Sequence, residues 1–302
     1  MSDLSRTLST LTTEAANPEW AEIDTWPTGR LVAGMIDADR GLYDAIASCT
    51  DAIGAAVDGI VERLSRGGRL IYMGAGTAGR LGVLDASEIP PTYGTDPSLV
   101  VGVIAGGSTA VTQAVENAED DVEAGARAMG DLEVRETDTL VGIASSGRTP
   151  YVLGGLAEAS RRGALTIGLT NNAGSAVGAA SDIAIEVVVG PEFIAGSTRL
   201  RSGTSQKLVL NMLSTLTMVK LGKTYGNLMV DLRATNEKLR VRAVRTVVAA
   251  TGASEAEAAT AVQGAEGSVK TAILMVIEGV DAAEARARLS AANGHLRDAL
   301  TS

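Results

Sequence analysis

The chain holds one cysteine, Cys49, and one histidine, His295, among 302 residues. A lone cysteine forms no intrachain disulfide and builds no thiolate metal cluster. A lone histidine leaves Ser-His-Asp or Cys-His catalysis only to His295 itself and argues against a His-rich zinc site. Acid–base chemistry therefore falls mainly to carboxylates, with Lys and Tyr behind them. Aromatic residues make up 3% of the chain, too few to offer stacking platforms to single-stranded nucleic acid. Cations are also short, 26 Lys and Arg against 36 Asp and Glu. The formal charge of −10 disfavours a nonspecific nucleic-acid or anionic-membrane surface, so an anionic ligand must be held by a local site. No apolar run reaches the roughly 18 residues of a membrane span. The longest, 208–219, includes Asn211 and several Ser and Thr and reads as a buried helix. Asp3, Arg6 and Glu14 occupy the region where a signal peptide needs an apolar stretch. A cytoplasmic protein with no nucleic-acid or membrane partner is expected.

What the chain has in quantity is glycine, 35 residues, the mark of many tight turns. The stretch 70–94, LIYMGAGTAGRLGVLDASEIPPTYG, organises the rest. Leu70 to Met73 fits a buried strand. Gly74-Ala75-Gly76-Thr77-Ala78-Gly79 follows and leads into a helical stretch from about Arg80. A strand that breaks into a Gly-rich turn and then a helix exposes backbone N–H groups that suit a phosphate. The spacing Gly74-x-Gly76-x-x-Gly79 also fits a dinucleotide fingerprint, which wants an acidic residue at the end of the next strand. That strand instead ends Ile104-Ala105-Gly106-Gly107, so no nicotinamide cofactor is expected. A tight turn without a ligand is the plainer alternative. Glu88 is followed by Ile89-Pro90-Pro91, which is expected to stop the helix and leave Glu88 at or just past its end. An anion cradle beside a carboxylate on stiff backbone points to an enzyme acting on a phosphorylated small molecule.

Residues 1–30 read as an irregular arm. Trp20 and Trp26 either anchor it to the body or a second subunit, or touch a ligand. Residues 31–64 show helical spacing in two pieces. Strand candidates follow at 70–73, 99–104, 139–144, 165–169 and 183–189, several so continuously apolar that burial on both faces and parallel pairing are expected. Helical stretches lie between them at 80–87, 109–129, 151–161 and 173–180. This alternation predicts a doubly wound α/β domain, which binds ligands beyond the carboxyl ends of its strands. A long helix over 202–221 and an Ala-rich tail of three or four helices complete the chain. In the tail, Ser254 with Glu257 has capping-box spacing, repeated by Asp281 with Glu284.

Several further residues carry chemistry. Ser145-Ser146-Gly147-Arg148-Thr149-Pro150 ends another candidate strand, and its hydroxyls and N–H groups suit a phosphate. Thr149 is equally placed merely to cap the next helix. Glu116, Glu119, Asp120, Asp121 and Glu123 read plainly as a solvated helix face, yet Glu116 and Glu119, three apart, share a side, and either can turn to the ligand edge. Glu192 is a candidate for the same edge. Arg199, Arg201 and Lys207 either pair with acidic side chains or reach an anionic substrate. His295, in the tail, reads as a surface or subunit-contact residue.

Together, GAGTAGRLGVLDASEIPPTYG, GVIAGGSTAVTQAVENAED, IASSGRTPYVLGGL, GPEFIAGSTRLRSGTSQKLVLNML and GKTYGNLMVDL resemble the N-acetylmuramic acid 6-phosphate etherases over roughly residues 70–232. That family shares the sugar isomerase (SIS) fold with phosphosugar isomerases and the glucokinase regulatory protein. The resemblance implies an α/β protein with a mostly parallel five-stranded SIS-type sheet and a small C-terminal helical unit like a ubiquitin-associated module. It divides the chain into an arm at 1–55, a phosphosugar-binding domain at 56–225 and a helical domain at 226–302. It implies a homodimer without cofactors and a lyase of cell-wall sugar recycling. Such enzymes cleave the D-lactyl ether of N-acetylmuramic acid 6-phosphate with water, giving N-acetylglucosamine 6-phosphate and D-lactate. Elimination from the open-chain sugar precedes hydration, and neither step needs a metal, a nucleotide or histidine.

Carried over by motif, Glu88 in DASEIPP matches the family's proton donor, and Glu119 in VENAED its second catalytic residue. Thr77, Ser145, Ser146 and Thr149 match the hydroxyl-rich phosphate loops. Ala78 stands where many relatives carry Ser, and Ala144 where many SIS isomerases do, and each removes one hydroxyl from that shell. Ile89 and Tyr93 replace a common Cys and Phe away from the chemistry. Two rivals share the scaffold. An aldose–ketose isomerase abstracts the C2 proton but expels nothing from C3, and a non-catalytic sugar-phosphate sensor can lack the carboxylates. The pair DASEIPP and VENAED argues against both.

Overall fold

The five runs become strands because each is long enough to cross a sheet, and the central ones are apolar enough to be covered on both sides. The computed structural model describes residues 11–231 and 237–301; Asp3 and Arg6 lie outside them. The chain groups into two units. One runs to Ser87 and resumes from Ser98 to Ser214, and the other joins Glu88–Pro97 to the chain from Thr215 onward.

In the first unit, α1 (Thr28–Ala38), α2 (Leu42–Ala47) and α3 (Thr50–Ser65) precede the sheet. Then come β1 (Leu70–Gly74), α4 (Gly76–Tyr93), β2 (Val100–Ile104), α5 (Thr109–Thr112), α6 (Val122–Asp131) and β3 (Thr139–Ala144). After these follow α7 (Pro150–Arg161), β4 (Leu165–Thr170), α8 (Ala176–Ala179), β5 (Ile183–Glu186) and α9 (Arg201–Lys220), the ends of α4 from Glu88 and of α9 from Thr215 belonging to the second unit. The five strands pair in parallel in the order β2-β1-β3-β4-β5. The central strands β1 and β3 are buried along their whole length. Ile71, Met73 and Leu140 pack with Met129 of α6 and with Val152 and Leu156 of α7. Tyr72, on the opposite face, meets Gly82 of α4, as alternation along a strand requires. No helix among the described residues is long and apolar enough to cross a membrane.

Three elements differ from expectation. The helical segment before the sheet has three pieces rather than two. The helix α4 opens at Gly76, directly off the Gly-rich turn, and continues through Pro90 and Pro91 to Tyr93. Each proline deletes only its own N–H, so the bonds lost are those to the carbonyls of Ala86 and Ser87. The Thr92 hydroxyl donates to the Glu88 carbonyl at 2.7 Å and the Gly94 N–H to the Pro90 carbonyl at 2.9 Å, which holds the last turn. Glu88 therefore sits inside the helix. The single helix expected over 109–129 breaks into α5, a 3-10 turn at Ala118–Asp120, and α6. Asn117 adopts the left-handed region at φ 60°, and Asp121 caps α6 by accepting the Ala124 N–H at 2.8 Å.

The second unit carries the hairpin β6 (Thr224–Tyr225) and β7 (Leu228–Met229) and five helices, α10 (Glu237–Thr251), α11 (Glu255–Gly264), α12 (Val269–Glu278), α13 (Ala282–Ala291) and α14 (Leu296–Ala299). Their shared core includes Val247, Ala258, Ile273, Leu274, Leu289 and Leu296. Ser254 and Glu257 form the expected capping box. Asp281 caps α13 alone, because Glu284 turns to Arg288 at 2.8 Å. The buried Lys270 joins Asp231 and the Gly294 carbonyl at 2.8 and 2.7 Å. His295 packs on Gly222.

Candidate active site

After β1 the chain crosses to β2 on one side, and β3 later returns to the other side of β1. Open parallel sheets bind ligands at such a switch, outside the carboxyl ends of the strands. The register sets Gly74 beside Ile143, so the Gly-rich turn after β1 and the Ser-rich turn after β3 leave the sheet level with each other.

The first turn is closed by glycine. A Cβ on Gly74 would lie 2.7 Å from the Gly79 nitrogen, and one on Gly79 would lie 2.7 Å from the Gly74 carbonyl oxygen. Only residues without a side chain let the backbone double back so closely. The fold-back places the N-terminus of α4, with Thr77 in its first turn, at the sheet edge. The first N–H groups of a helix lack intrahelical partners and are free for an anion.

The second turn holds Ser145, Ser146 and Thr149. Thr149 occupies the N-cap of α7 but makes no side-chain cap bond, so its hydroxyl is not engaged in capping. Ser146 Oγ accepts the Arg148 N–H at 3.3 Å. Ser145 Oγ accepts from Gln206 Nε2 of α9 at 2.9 Å, and the Ser145 carbonyl accepts the Asn171 N–H at 3.1 Å. The arm is tied into the same place. Asn172 Nδ2 donates to the Ser145 carbonyl at 2.9 Å, and Asn172 Oδ1 accepts the Thr12 N–H at 2.8 Å. The Trp20 ring packs tilted against Phe193, centroids 5.3 Å apart, so that tryptophan anchors the arm to the body.

Beside the Gly-rich turn lies a cavity of about 200 Å³ whose wall includes Gly76, Arg80, Ala105, Glu116 and Glu119. The break after α5 brings both glutamates there, so geometry alone does not choose between them. Arg80 donates to the carbonyls of Val111 and Gln113 at 3.0 and 3.4 Å, pinning the segment that carries them to α4. Glu88 is exposed, is not part of this wall, and belongs to the second unit.

Two expectations at this edge change. Glu192 is buried, and its carboxylate accepts the Arg201 and Ser202 N–H groups at 2.7 and 2.9 Å. It serves the N-terminus of α9, where negative charge is favoured, rather than the ligand edge. Arg201 takes the pairing alternative, reaching the Pro191 carbonyl at 2.8 Å and Asp39 at 4.0 Å. Arg199 and Lys207 are exposed. Gln206 and Arg80 were missed, since only a helix start and a cationic run marked their places. Among the described residues, no cluster of three His, Cys, Asp or Glu is arranged to hold a metal.

These features define a class, proteins of the SIS fold. Residues 111–216 match the SIS domain family, and residues 52–160 match the glucokinase regulatory protein N-terminal SIS domain. A phosphoheptose isomerase from Francisella tularensis shares the fold with a TM-score of 0.52 at 21% identity, over 64% of this chain and 98% of that one. The particular relatives are closer. The N-acetylmuramic acid 6-phosphate etherase of Streptomyces avermitilis is 55% identical over 97% of this chain and 94% of its own. That of Rubrobacter xylanophilus is 54% identical over 97% of each. The chain belongs to the N-acetylmuramic acid 6-phosphate etherase family.

Proposed function

We propose that this protein is a carbon–oxygen lyase that converts N-acetylmuramic acid 6-phosphate and water to N-acetylglucosamine 6-phosphate and D-lactate in cell-wall sugar recycling. The observation that carries this reading is the pair of level turns at the β1/β3 switch, the Gly-rich one bordering a cavity walled by Glu116 and Glu119, in a chain 55% identical to an etherase over 97% of its length. The hydroxyls of Thr77, Ser145, Ser146 and Thr149, with the N-termini of α4 and α7, hold the phosphate. Glu88 and Glu119 supply the base and the acid. Removal of the C2 proton, which is α to the open-chain aldehyde, gives an enolate-like anion. The electron pair then expels the lactyl oxygen from C3, which leaves with a proton from a carboxylic acid. Water adds to C3 of the unsaturated aldehyde, and a proton returns to C2. Incubation with the muramic acid phosphate and an assay for D-lactate tests the reading; an isomerised phosphosugar without lactate, or binding without turnover, would refute it.

The functional segments remain those of the motif reading: an arm at 1–55, the phosphosugar-binding domain at 56–225 and a helical domain at 226–302. The protein works in the cytoplasm as a homodimer. On α1, Val32, Met35 and Ile36 are exposed at 54%, 43% and 63%. Their i, i+3, i+4 spacing makes an apolar stripe of the kind that marks an interface. Glu88 is not part of the cavity wall that carries Glu116 and Glu119. A phosphate ester and the C2–C3 bond of the same sugar are only a few bonds apart. The reading is therefore that Glu88 of one copy serves the phosphate site of the other.

A further inference from the structure

Gln206 is fully buried on α9, with its amide nitrogen 2.9 Å from both Asn171 Oδ1 and Ser145 Oγ. The direction of every bond in this group follows from one fixed point. The Val187 carbonyl oxygen can only accept. The Asn171 atom 2.9 Å from it is therefore the amide nitrogen, whose second N–H goes to Ser205 Oγ at 2.8 Å. Ser205 in turn donates to the Ser202 carbonyl at 2.8 Å, a second acceptor-only group that agrees with the first. The remaining Asn171 atom is then its carbonyl oxygen, so the Gln206 atom facing it is nitrogen. One Gln206 N–H goes to Asn171 and the other to Ser145. Ser145 Oγ is the acceptor in that bond, and its own proton must point away from Gln206. Ser145 is partly exposed and directly follows β3, at the ligand edge.

We propose that Gln206 is a positioning residue that fixes the Ser145 hydroxyl as a hydrogen-bond donor towards the ligand, so that this turn selects the fully ionised form of a phosphate ester. The dianion offers only acceptors to that donor, whereas the monoanion also carries a P–O–H group that seeks an acceptor. The proposal rests on the reading of the 145–149 turn as the phosphate site.

The test measures calorimetric binding of N-acetylglucosamine 6-phosphate to the full chain. Ser145→Ala should weaken binding about tenfold or more, as for a hydrogen bond to a charged group; unchanged binding would remove the phosphate reading of Ser145 itself. The ratio of wild-type to Ser145→Ala affinity is then compared at pH 8 and pH 5, on either side of the second phosphate pKa near 6. Taking the ratio cancels titrations elsewhere. A larger ratio at pH 8 is expected. An equal or larger ratio at pH 5 overturns the donor assignment while leaving the phosphate site standing. Gln206→Met keeps the length without the N–H and frees the hydroxyl among three staggered positions, so a loss of about threefold is expected. In the Ser145→Ala background it should add nothing, and additive losses would show that Gln206 acts by another route. The pH comparison requires no change at Gln206 and stands even if Gln206→Met does not fold.

Discussion

Glu88 and Glu119 enter the proposed reaction from different surroundings, one on an exposed helix face and one in a cavity wall. Exchange of the C2 proton with solvent separates their roles. If Glu88 is the base, Glu88→Gln abolishes exchange and lowers lactate release by the ~10²–10⁴-fold expected of a general acid–base residue, with binding largely kept. In Glu119→Gln exchange survives at least in part, because hydration comes later; wild-type exchange in Glu88→Gln would pass the base role to Glu119. Ser146→Ala should weaken phosphosugar binding by roughly 1.5–3 kcal/mol, and an unchanged Kd would remove Ser146 from the phosphate shell. At this scale the sequence showed residues whose chemistry lies inside a contiguous motif. It hid Gln206, 61 positions from its partner Ser145, and it misassigned Glu192, whose task depends on where β5 ends and α9 begins. Such roles exist only once distant segments meet.

The elements were legible where one physical signal dominated. Five apolar runs became five parallel strands within a residue or two at most ends, although β5 stops at Glu186. There the Glu186 carboxylate accepts the N–H groups of Gly174 and Ser175 at 2.8 Å each. Pro90-Pro91 misled because a proline near a helix end costs few bonds. The acidic run misled because helical spacing does not reveal a left-handed Asn117. The Gly-rich turn allows a sharp test. In Gly79→Ala the new Cβ would stand 2.6 Å from Ile104 Cγ1, so overpacking should destabilise the protein by about 1–3 kcal/mol and loosen the proposed phosphate turn; urea unfolding and sugar-phosphate titration read both effects. On α7, Glu158 reaches Arg161 and Arg162, each at 2.6 Å. Hydrogen bonds from Arg161 and then Arg162 hold its carboxyl down to about 2 from 4.5. A depressed folded pKa contributes stability above the unfolded value and loses it as pH falls through the folded one. Wild type should therefore exceed Glu158→Gln in stability at pH 7, and the gap should close between about pH 4.5 and 2. A gap that persists at pH 2 would mean the pair acts through packing instead.

The whole molecule poses a question that one chain cannot answer alone: where Glu88 would play its proposed part. An acid–base carboxylate gains from exclusion of water, yet Glu88 is exposed, and Leu84, one turn earlier on α4, is 51% exposed. A second copy covering that face would remove both from water and bring Glu88 to the proposed phosphate site of its partner. Complementation decides this. Glu88→Gln and Glu119→Gln, each expected to lose lactate release in the proposed homodimer, are co-expressed so that mixed dimers form. In a two-fold dimer with shared sites, one site of each mixed dimer combines the two altered residues and the other combines the two intact ones. Random mixing makes about half of the dimers mixed, so about a quarter of all sites should recover lactate release. If each site takes both glutamates from one chain, every site in the mixture carries one substitution and no activity returns. Mass spectrometry that finds mixed dimers without activity would therefore place both glutamates in a single copy, and sedimentation that finds only a 30.8 kDa species at micromolar concentration would remove the dimer itself.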